Sequence, residues 1–409
     1  MQTSQEISET RIGLIYLYYG SWPWYFDYFL KSCEFNPEIT FILVTDIVPP
    51  KDQPKNVTFI IKSLKDVERD VSSKIGFKVS LNEAYKLCDF KPAYGLIFED
   101  ILSDFEFWGH GDIDLVFGHI KSFITPEILL NYDTISVRHD YPSGFFMLYR
   151  NIPEVNKLFM RSADYKKIFT SDGHYCFDEC NFQHGYLFGG MDIFATESKI
   201  ESMMHVIKQA EFDNVIRPYF DFCVCEGLPG AIKWDNGTLS INNEFEILLY
   251  HFIQLKENIY FYKPKWKSVP NVFYVEKNAF FKYSKTSLLG YVARLWIGLK
   301  VDFRKTAKIL FLRFNKLVHR FYSSNLVQQN QYLGIYICRN KNLEIKKDED
   351  GIHMSLSYPK ISKLRLHTVP FDSSLLVDYR LGFLLSRKKN ILTMTALDGQ
   401  KEVYQKKCQ

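Results

Sequence analysis

The chain has 409 residues, of which 46% are hydrophobic and 24% are charged, and its formal net charge is +4. This balance is typical of a globular protein and excludes a disordered chain. The length predicts one large α/β domain followed by smaller units. The modest net charge gives no argument for nucleic acid, and we expect no such partner.

The N-terminal segment and the cysteines indicate the compartment. Residues 1–9 are polar and acidic, without the basic and apolar segments of a secretory signal. No window of the sequence has the apolar length needed to span a bilayer. We therefore expect the protein on the cytoplasmic side. The 8 cysteines are scattered, which favours reduced thiols over a disulfide framework.

Predicted strands and helices alternate in the first part of the chain. Apolar runs and helical spacing predict strands at 12–19, 39–45 and 57–61 and helices at 24–35 and 64–75. Such alternation implies a doubly wound, mostly parallel sheet, in which ligands bind beyond the carboxyl ends of the strands. Tyr18, Tyr19 and Asp46 lie at such ends.

A further helix is predicted from Pro92 to about Leu102, because proline suits the first turn of a helix. Lys86, Asp89 and Lys91 lie at its entrance, where backbone N–H groups favour anions. These side chains are candidates to contact phosphates or a sugar. The alternative is a capped helix start with solvated lysines.

The stretch at 107–118 contains two carboxylates one residue apart, Asp112 and Asp114, between glycines and apolar runs. This pattern predicts a tight turn after a buried strand, where both carboxylates converge on one divalent cation. A cation held in this way can bind the phosphate oxygens of a nucleotide diphosphate. The alternative is a pair of ordinary turn residues, but burial among apolar neighbours is costly without a cation or a hydrogen-bonded partner.

Beyond this stretch we predict strands at 134–137 and 145–149 and a helix at 153–161. The next segment is rich in glycine, aromatic and acidic residues without a clear period, which is typical of loops that line a pocket. Asp178 and Glu179 in this segment are candidates to take a proton from a sugar hydroxyl. The alternative is a charge pair at a helix N-terminus.

Two further sets of residues offer metal ligands. His174, Cys176, Cys180 and His184 form a rival zinc set, but their order does not fit a paired zinc pattern. His251 lies in an apolar stretch, where a histidine is commonly a hydrogen-bonded core residue. Its late position also allows it to return to the two aspartates as a third ligand.

The C-terminal third of the chain changes character. Residues 285–320 carry nine Lys/Arg and one acidic residue among apolar residues. Such a basic amphipathic segment suits an anionic membrane surface, with packing against the main domain as the alternative. From residue 331 short β-type runs predict a small antiparallel unit. We predict domains at 1–270 and 326–409, joined by a basic helical segment at 271–325.

Six motifs in order resemble a family of bacterial glycosyltransferase-like proteins that are found with surface-polysaccharide genes and are similar to GT-A glycosyltransferases. The resemblance covers about residues 11–265. The motifs are Ile-Gly-Leu-Ile-Tyr-Leu-Tyr-Tyr-Gly, Phe-Ile-Leu-Val-Thr-Asp, Lys-Leu-Cys-Asp-Phe-Lys-Pro-Ala-Tyr-Gly, Trp-Gly-His-Gly-Asp-Ile-Asp-Leu-Val-Phe-Gly, Ser-Gly-Phe-Phe-Met-Leu-Tyr-Arg-Asn and Cys-Phe-Asp-Glu.

The resemblance implies a GT-A-like, Rossmann-like domain that binds a nucleotide-diphosphate sugar, expected to be a UDP-sugar, with Mn²⁺ or Mg²⁺. It places Asp112 on the ribose or metal and Asp114 and His251 on the metal. It also places Lys86, Asp89 and Lys91 near the donor. It places Tyr18, Tyr19 and Asp46 near the base and ribose. Related transferases often place a glycine and a lysine after the late histidine, and here the role of Lys256 is open.

The predicted function is therefore a metal-dependent hexosyltransferase that acts at the cytoplasmic membrane face on a glycan or lipid-linked acceptor, in capsule or lipopolysaccharide synthesis. Asp178 or Glu179 is the predicted base if the reaction inverts the anomeric carbon. Two alternatives are a glycan-binding or assembly protein without turnover and a metal-dependent diphosphate hydrolase.

Overall fold

The computed structural model describes residues 10–226, 232–256, 258 and 261–321, and in the C-terminal part residues 333–338, 341–348, 351–356, 361–369, 372–378, 383–388, 391–396 and 401–406. The chain divides into two compact units, 1–291 and 292–409. The candidate site lies in the first unit.

The first unit combines short strands with mostly short helices. Its strands are β1 Ile12–Leu17, β2 Ile39–Thr45, β3 Val57–Ile61, β4 Phe107–Gly111, β5 Leu115–Phe117, β6 Thr134–Ser136, β7 Phe146–Arg150, β8 Pro218–Phe220, β9 Val224–Glu226, β10 Ile232–Asp235, β11 Thr238–Ile241, β12 Phe245–Glu246, β13 Leu249–His251, β14 Val272–Glu276 and β15 Ala279–Phe281. Its helices are α1 Phe26–Glu34, α2 Leu64–Ile75, α3 Tyr94–Ile97, α4 Glu99–Leu102, α5 Ile120–Phe123, α6 Pro126–Asn131, α7 Pro153–Asn156, α8 Tyr165–Thr170, α9 His184–Phe188 and α10 Met203–Phe212, with 3₁₀ helices at Ala84–Ala93, Leu158–Arg161 and Ile193–Ala195.

The central sheet has the strand order β3-β2-β1-β4-β7-β6-β8. Most neighbours are parallel, and β7 runs antiparallel to both of its neighbours. The predicted mixed α/β fold with a mostly parallel sheet is confirmed. Ile12 pairs with Phe107 and Leu17 with Val44, so the carboxyl ends of β1, β2 and β4 lie at one edge of the sheet.

Local sequence signals explain why α2 has its predicted bounds. The Ser63 hydroxyl accepts from the Asp66 N–H, and the Asp66 carboxylate accepts from the Ser63 N–H, which satisfies two free donors of the first turn. Val67 and Val71 face the core. The helix ends at Gly76, whose φ of 86° lies in the left-handed region.

The helix predicted from Pro92 to Leu102 is wrong in its start and its continuity. Pro92 lies inside the 3₁₀ helix at Ala84–Ala93, and the two single-turn helices α3 and α4 follow, separated at Phe98. The break between α3 and α4 falls at Phe98, where φ of −110° and ψ of 28° depart from helical values. The predicted helix at 153–161 is likewise split into α7 and a 3₁₀ turn.

A small three-stranded sheet, β5-β13-β9, continues directly from the turn after β4. Strand β13 pairs antiparallel with β5 and parallel with β9, which places His251 opposite both Leu115 and Glu226. The neighbouring sheet β12-β11-β10-β14-β15 is connected to β5 by a hydrogen bond from Trp234 Nε1 to the Phe117 carbonyl, 2.9 Å long.

The long helix α11, Leu288–Phe321, leads into eight antiparallel strands. They are β16 Gly334–Cys338, β17 Lys341–Asp348, β18 Gly351–Leu356, β19 Ile361–Val369, β20 Asp372–Asp378, β21 Phe383–Lys388, β22 Ile391–Ala396 and β23 Lys401–Lys406. The sheet is closed because β16 pairs with both β17 and β23, and side chains such as Tyr336 and Tyr404 fill its core. The predicted C-terminal antiparallel unit is confirmed.

Within the described residues, no helix has both the length and the apolar character required to cross a membrane.

Candidate active site and metal centre

The two aspartates of the motif follow β4, whose glycines allow a close approach to β7. A Cβ on Gly111 would lie 2.6 Å from the Phe145 carbonyl oxygen and 2.9 Å from the Tyr16 ring. The Asp112 N–H donates to the same Phe145 carbonyl, at 3.0 Å. Close packing therefore requires these glycines, and the turn that follows them lies at the edge of the sheet.

Asp112, Asp114 and His251 form a cluster that we call the edge cluster. One ligand atom from each residue lies within 4.8 Å of the other two. Asp114 and His251 are buried, whereas the Asp112 side chain is 39% exposed. Two carboxylates and an imidazole fit Mn²⁺ or Mg²⁺, with the carboxylates suited to both ions. The structure brings the three predicted ligands together, and metal binding stays a prediction.

A chain of polar contacts orients His251. Its Nδ1 lies 3.0 Å from Glu226 Oε1, and its Nε2 lies 3.4 Å from Asp114 Oδ2. Glu226 is in turn paired with Arg138, which donates two hydrogen bonds to Asp140. Such outer contacts fix the ring of a metal-binding histidine. Burial lowers the pKa of His251, but Asp114 and Glu226 outweigh burial and raise it to about 9.

Lys256 places its ammonium group on Asp114, with Nζ 2.6 Å from Oδ2. Burial raises the pKa of Asp114, but His251 and Lys256 outweigh burial and hold it well below its usual range. The sequence left the role of Lys256 open. In the structure this lysine forms an ion pair with the edge cluster through Asp114.

Lys91 joins the edge cluster to the carboxylates at 178–179. Its Nζ donates to Asp112 Oδ1 at 2.7 Å and to the Gly144 carbonyl at 2.8 Å, and it lies 3.8 Å from Asp178 Oδ2. Burial lowers the pKa of Lys91, but the nearby acidic groups, led by Asp112, raise it well above its usual value. Lys91 is therefore a buried, charged group at the same edge as the motif.

Gly144 allows the two candidate bases to approach. A Cβ on this residue would lie 2.6 Å from Asp178 Oδ2 and 2.8 Å from Glu179 Oε1. Burial raises the pKa of Asp178 well above its usual range, and neighbouring carboxylates add to this effect while Lys91 opposes it. Asp178 thus lies close to the edge cluster with a carboxyl group that holds its proton more tightly than usual.

Glu179 points into a second cluster, which we call the loop cluster: Cys176, Glu179 and His184. Burial raises the pKa of Glu179, but His184, the Gly144 N–H and Cys176 together lower it to about 2. The rival zinc set does not assemble as four ligands, because His174 lies 3.1 Å from Asp89 and is not a member of the loop cluster.

Lys86 and Asp89 form an ion pair inside the fold, with Nζ 2.8 Å from Oδ2 and side chains only 2% and 0% exposed. Lys86 also donates to the Ile168 and Gly173 carbonyls. Asp89 accepts from the Tyr175 and Phe177 N–H groups and lies 3.1 Å from His174 Nδ1. The pair thus anchors the loop that leads to Asp178. Its contact with a donor stays a prediction.

Tyr18, Tyr19 and Asp46 follow β1 and β2 at the same edge of the sheet. The Tyr18 ring stacks on Trp22, with centroids 5.7 Å apart and planes at 13°. Tyr19 is half-buried, and its hydroxyl has no hydrogen-bond partner among the described residues. Burial and then the charge of Asp46 raise the pKa of Tyr19.

Sequence reasoning did not select several residues of this region. One is Tyr25, whose pKa is raised first by burial and next by the charge of Asp114. Glu226 ends β9, and Arg138 follows β6. The signal that selected Tyr18, a polar residue at the end of a predicted strand, also applies to Arg138.

The sequence model of a family of unknown function, DUF6625, matches residues 14–284. The match spans more than half of the chain, and the chain belongs to this family. No curated protein matches the sequence.

Two solved structures with weak similarity are glycosyltransferases. The apo form of mouse xyloside xylosyltransferase 1 has a TM-score of 0.31 at 8% identity, and the match covers 59% of this chain and 97% of that one. The glycosyltransferase GlyE of Streptococcus pneumoniae TIGR4 has a TM-score of 0.24 at 10% identity, with 54% and 69% covered. TM-scores below 0.5 are too low for these two structures to establish the fold or the function of this chain.

Proposed function

We propose that this member of the DUF6625 family is a metal-dependent glycosyltransferase with a GT-A-like domain. It transfers a sugar from a nucleotide-diphosphate sugar to a glycan or lipid-linked acceptor of the cell surface. The observation that supports this proposal is the convergence of Asp112, Asp114 and His251 at the carboxyl edge of the central sheet. Ligands of open α/β sheets bind at this edge.

The edge cluster fits a divalent cation in charge and in ligand type. Two carboxylates and one imidazole supply the ligands, and a bound Mn²⁺ or Mg²⁺ would neutralise charge on the donor diphosphate. Lys91 and Lys256 each hold an ammonium group on one of the carboxylates. Both lysines therefore lie where negative charge develops on a departing diphosphate, and fixed positive charge at such a place lowers the barrier.

The donor's base and ribose are assigned to the ends of β1 and β2. Tyr18 and Trp22 present stacked rings there, and aromatic faces bind a nucleobase by stacking. Tyr19 and Asp46 supply a hydroxyl and a carboxylate for the ribose, with Asp112 in reach of either ribose or metal.

Asp178 is the first candidate for the base. In the transfer step the acceptor hydroxyl oxygen bonds to the anomeric carbon, and the bond from that carbon to the diphosphate oxygen breaks with its electron pair. The hydroxyl proton passes to the carboxylate. Glu179 is the weaker candidate because three donors already hold its charge.

The N-terminal half of α11 is the proposed contact with an anionic membrane, within the basic segment 285–320. A stripe of apolar side chains, each more than half exposed, recurs every three or four residues: Leu288, Val292, Leu295, Leu299 and Phe303. Lys300 lies over the Trp296 ring at 4.8 Å, beside this stripe. Exposed apolar residues flanked by basic ones suit an anionic lipid surface.

Co-sedimentation with lipid vesicles tests the membrane contact. We expect binding to vesicles containing phosphatidylserine, weaker binding at high salt, and loss of binding in a Leu295→Ser/Leu299→Ser variant. Equal binding of this variant, or no binding of the parent, contradicts the membrane contact and favours packing of the segment against protein.

Thermal unfolding with a panel of nucleoside diphosphates, with and without Mn²⁺, tests the donor site. Ligands that bind the native state raise the midpoint, by about 2.7 kcal/mol in stability at 100 times Kd. We expect a Mn²⁺-dependent rise with one nucleotide in the parent and in Asp235→Asn, a partly exposed aspartate of β10, and no rise in Asp114→Asn. Absence of any rise contradicts the proposal and favours a glycan-binding protein.

Turnover of the matching nucleotide sugar then separates a transferase from a hydrolase. A transferase hydrolyses its donor slowly and releases the nucleotide faster when a sugar acceptor is added. A hydrolase reaches its full rate with water alone, and that result contradicts the transferase proposal.

A further inference from the structure

The loop cluster combines a thiol, an imidazole and a carboxylate, all of which can ligate zinc, and the proposed transfer reaction does not use it as a metal site. Cys176 is 4% exposed, and the Glu179 and His184 side chains are 19% and 37% exposed. All three come from one short segment. The cluster is therefore formed locally, and no distant pairing is needed to assemble it.

The backbone of this segment turns tightly to bring the three residues together. Cys176, Asn181 and Phe182 have φ values of 54°, 51° and 64°, in the left-handed region that non-glycine residues rarely adopt. The Asn181 N–H donates to the Cys176 carbonyl at 3.0 Å, which closes the turn. As a result, the Cys176 thiol faces the side chains of Glu179 and His184.

The distances within the loop cluster come within about 0.7 Å of the ligand spacing of zinc. Bonds of about 2.3 Å to sulfur and about 2.0 to 2.1 Å to nitrogen and oxygen, at tetrahedral angles, set ligand atoms about 3.4 to 3.6 Å apart. Cys176 Sγ lies 3.2 Å from Glu179 Oε2 and 3.8 Å from His184 Nε2, and the last two atoms are 2.7 Å apart. Shifts of less than about 1 Å satisfy the zinc geometry.

Charge balance also favours a dication. A Cys176 thiolate and the Glu179 carboxylate carry two negative charges, and His184 is neutral as a ligand. One Zn²⁺ neutralises this set, and the thiol proton leaves to water when the ion binds. Without an ion, protons hold the same three groups together by hydrogen bonds. The cation thus replaces protons in an arrangement that already exists.

We infer that Cys176, Glu179 and His184 form a second metal site, selective for Zn²⁺. Thiolate and imidazole ligands favour zinc, whereas the carboxylates of the edge cluster favour Mn²⁺ or Mg²⁺. Three protein ligands leave one position of the zinc tetrahedron for water, and the partly exposed His184 side provides access. The inference does not depend on the proposed transferase function.

Zinc at this site would act on the edge cluster through one backbone group. Glu179 Oε1 accepts from the Gly144 N–H at 2.9 Å, and the Gly144 carbonyl accepts from Lys91 at 2.8 Å. An ion on Oε2 fixes Glu179 and hence Gly144. It also removes Glu179 as a base and leaves Asp178 for that role.

Cobalt titration of the chelator-treated full chain tests the site. Co²⁺ replaces Zn²⁺ in such sites, and a bound thiolate gives a charge-transfer absorption that oxygen and nitrogen ligands do not. We expect one equivalent of Co²⁺ to produce this absorption in the parent, in Cys180→Ser and in Asp114→Asn. Cys180 is the matched control because it is a buried thiol of the same segment outside the cluster.

The absorption should be absent in Cys176→Ser and weakened in His184→Ala. The metal affinity of each variant should be more than about 100-fold lower than that of the parent, since even outer-shell partners of a metal contribute 10 to 100-fold. His184 is the second variant because its partly exposed side chain makes its replacement easier for the fold to tolerate. A parent without the absorption, or an absorption that survives in both variants, overturns the second metal site. Loss of nucleotide binding in Asp114→Asn leaves this readout unchanged.

Discussion

Two lysine–aspartate pairs start from the same 3₁₀ helix and differ in their surroundings. The Lys86–Asp89 pair is closed inside the fold, with 2% and 0% of the side chains exposed. The Lys91–Asp112 pair has its lysine buried and its aspartate 39% exposed at the edge of the sheet. The first pair is enclosed by backbone groups and His174, and the second opens at the edge of the sheet, where we propose that the donor binds. Two pairs of the same residue types in one segment thus differ in burial, and we propose a structural role for the first pair and a role in donor binding for the second.

The largest expected effect is the loss of stability in Lys86→Met. This change leaves the Asp89 carboxylate buried without its ammonium partner, and breaking a buried pair costs about 3 to 5 kcal/mol. Urea unfolding followed by circular dichroism measures this loss. The matched control is Lys65→Met, an exposed lysine of α2, for which we expect a change within about 0.5 kcal/mol. Equal stability of the two variants would contradict a structural role for the pair.

Lys91→Met should affect the transfer rate more than the stability of the fold. Removal of one fixed positive charge beside the leaving diphosphate lowers the transfer rate by about 100 to 1,000-fold. The unfolding free energy should fall less than in Lys86→Met, because Asp112 is exposed enough to be hydrated. Donor turnover and urea unfolding on the same two variants give the comparison. If Lys91→Met loses as much stability as Lys86→Met with little change in rate, the assigned roles are reversed.

Glu226→Gln tests how the edge cluster is oriented. The change keeps the shape of the side chain but removes the charge that holds Nδ1 of His251. Loss of such an outer partner weakens metal binding by about 10 to 100-fold. Calorimetric titration with Mn²⁺ measures the affinity, and Glu246→Gln on β12, an exposed glutamate, is the control. Unchanged affinity in Glu226→Gln shows that Glu226 does not orient the ligand.

The smallest effect is a pH dependence of stability from Asp89. Burial raises its pKa, but His174 and Lys86 outweigh burial and lower it below the usual 3.8. The native state therefore binds this proton less readily than the unfolded chain, so the contribution is complete above pH 3.8 and is lost as the pH falls below it. Unfolding curves of parent and Asp89→Asn should converge as the pH falls through this range. Parallel curves contradict the assignment.

Local signals in the sequence predicted the first strands and helices of the chain. The bounds of β2, β3 and α2 follow from apolar runs, a capping box and a terminal glycine. The helix predicted from Pro92 is wrong because the 3₁₀ helix with the buried Lys86, Asp89 and Lys91 continues through Pro92, and the backbone leaves helical angles at Phe98. That outcome depends on tertiary contacts, which apolar spacing does not encode.

The sequence predicted Asp112 and Asp114 from their short spacing and His251 from its late position and the family resemblance, but it did not predict the contacts that surround them. Asp112 and Asp114 form a short motif, and the structure places them at the expected edge. Glu226 reaches His251 through the pairing of β13 with β9, and Arg138 reaches Glu226 across 88 positions of the chain. Such pairings arise from the folded sheet, so no spacing rule reveals them. Likewise, Lys86 and Lys91 are both buried, and only the folded structure shows that the aspartate partner of Lys86 is buried while that of Lys91 is partly exposed.

Binding of Mn²⁺ itself tests the central claim most directly. Electron paramagnetic resonance reports free Mn²⁺, so titration of the chelator-treated protein counts the bound ions and gives their affinity. The parent and Asp235→Asn should bind one Mn²⁺ at the edge cluster, more tightly with the nucleoside diphosphate that raises the unfolding midpoint. Asp114→Asn and His251→Ala should lose this ion. Equal Mn²⁺ binding in parent and Asp114→Asn would contradict the edge cluster as a metal centre.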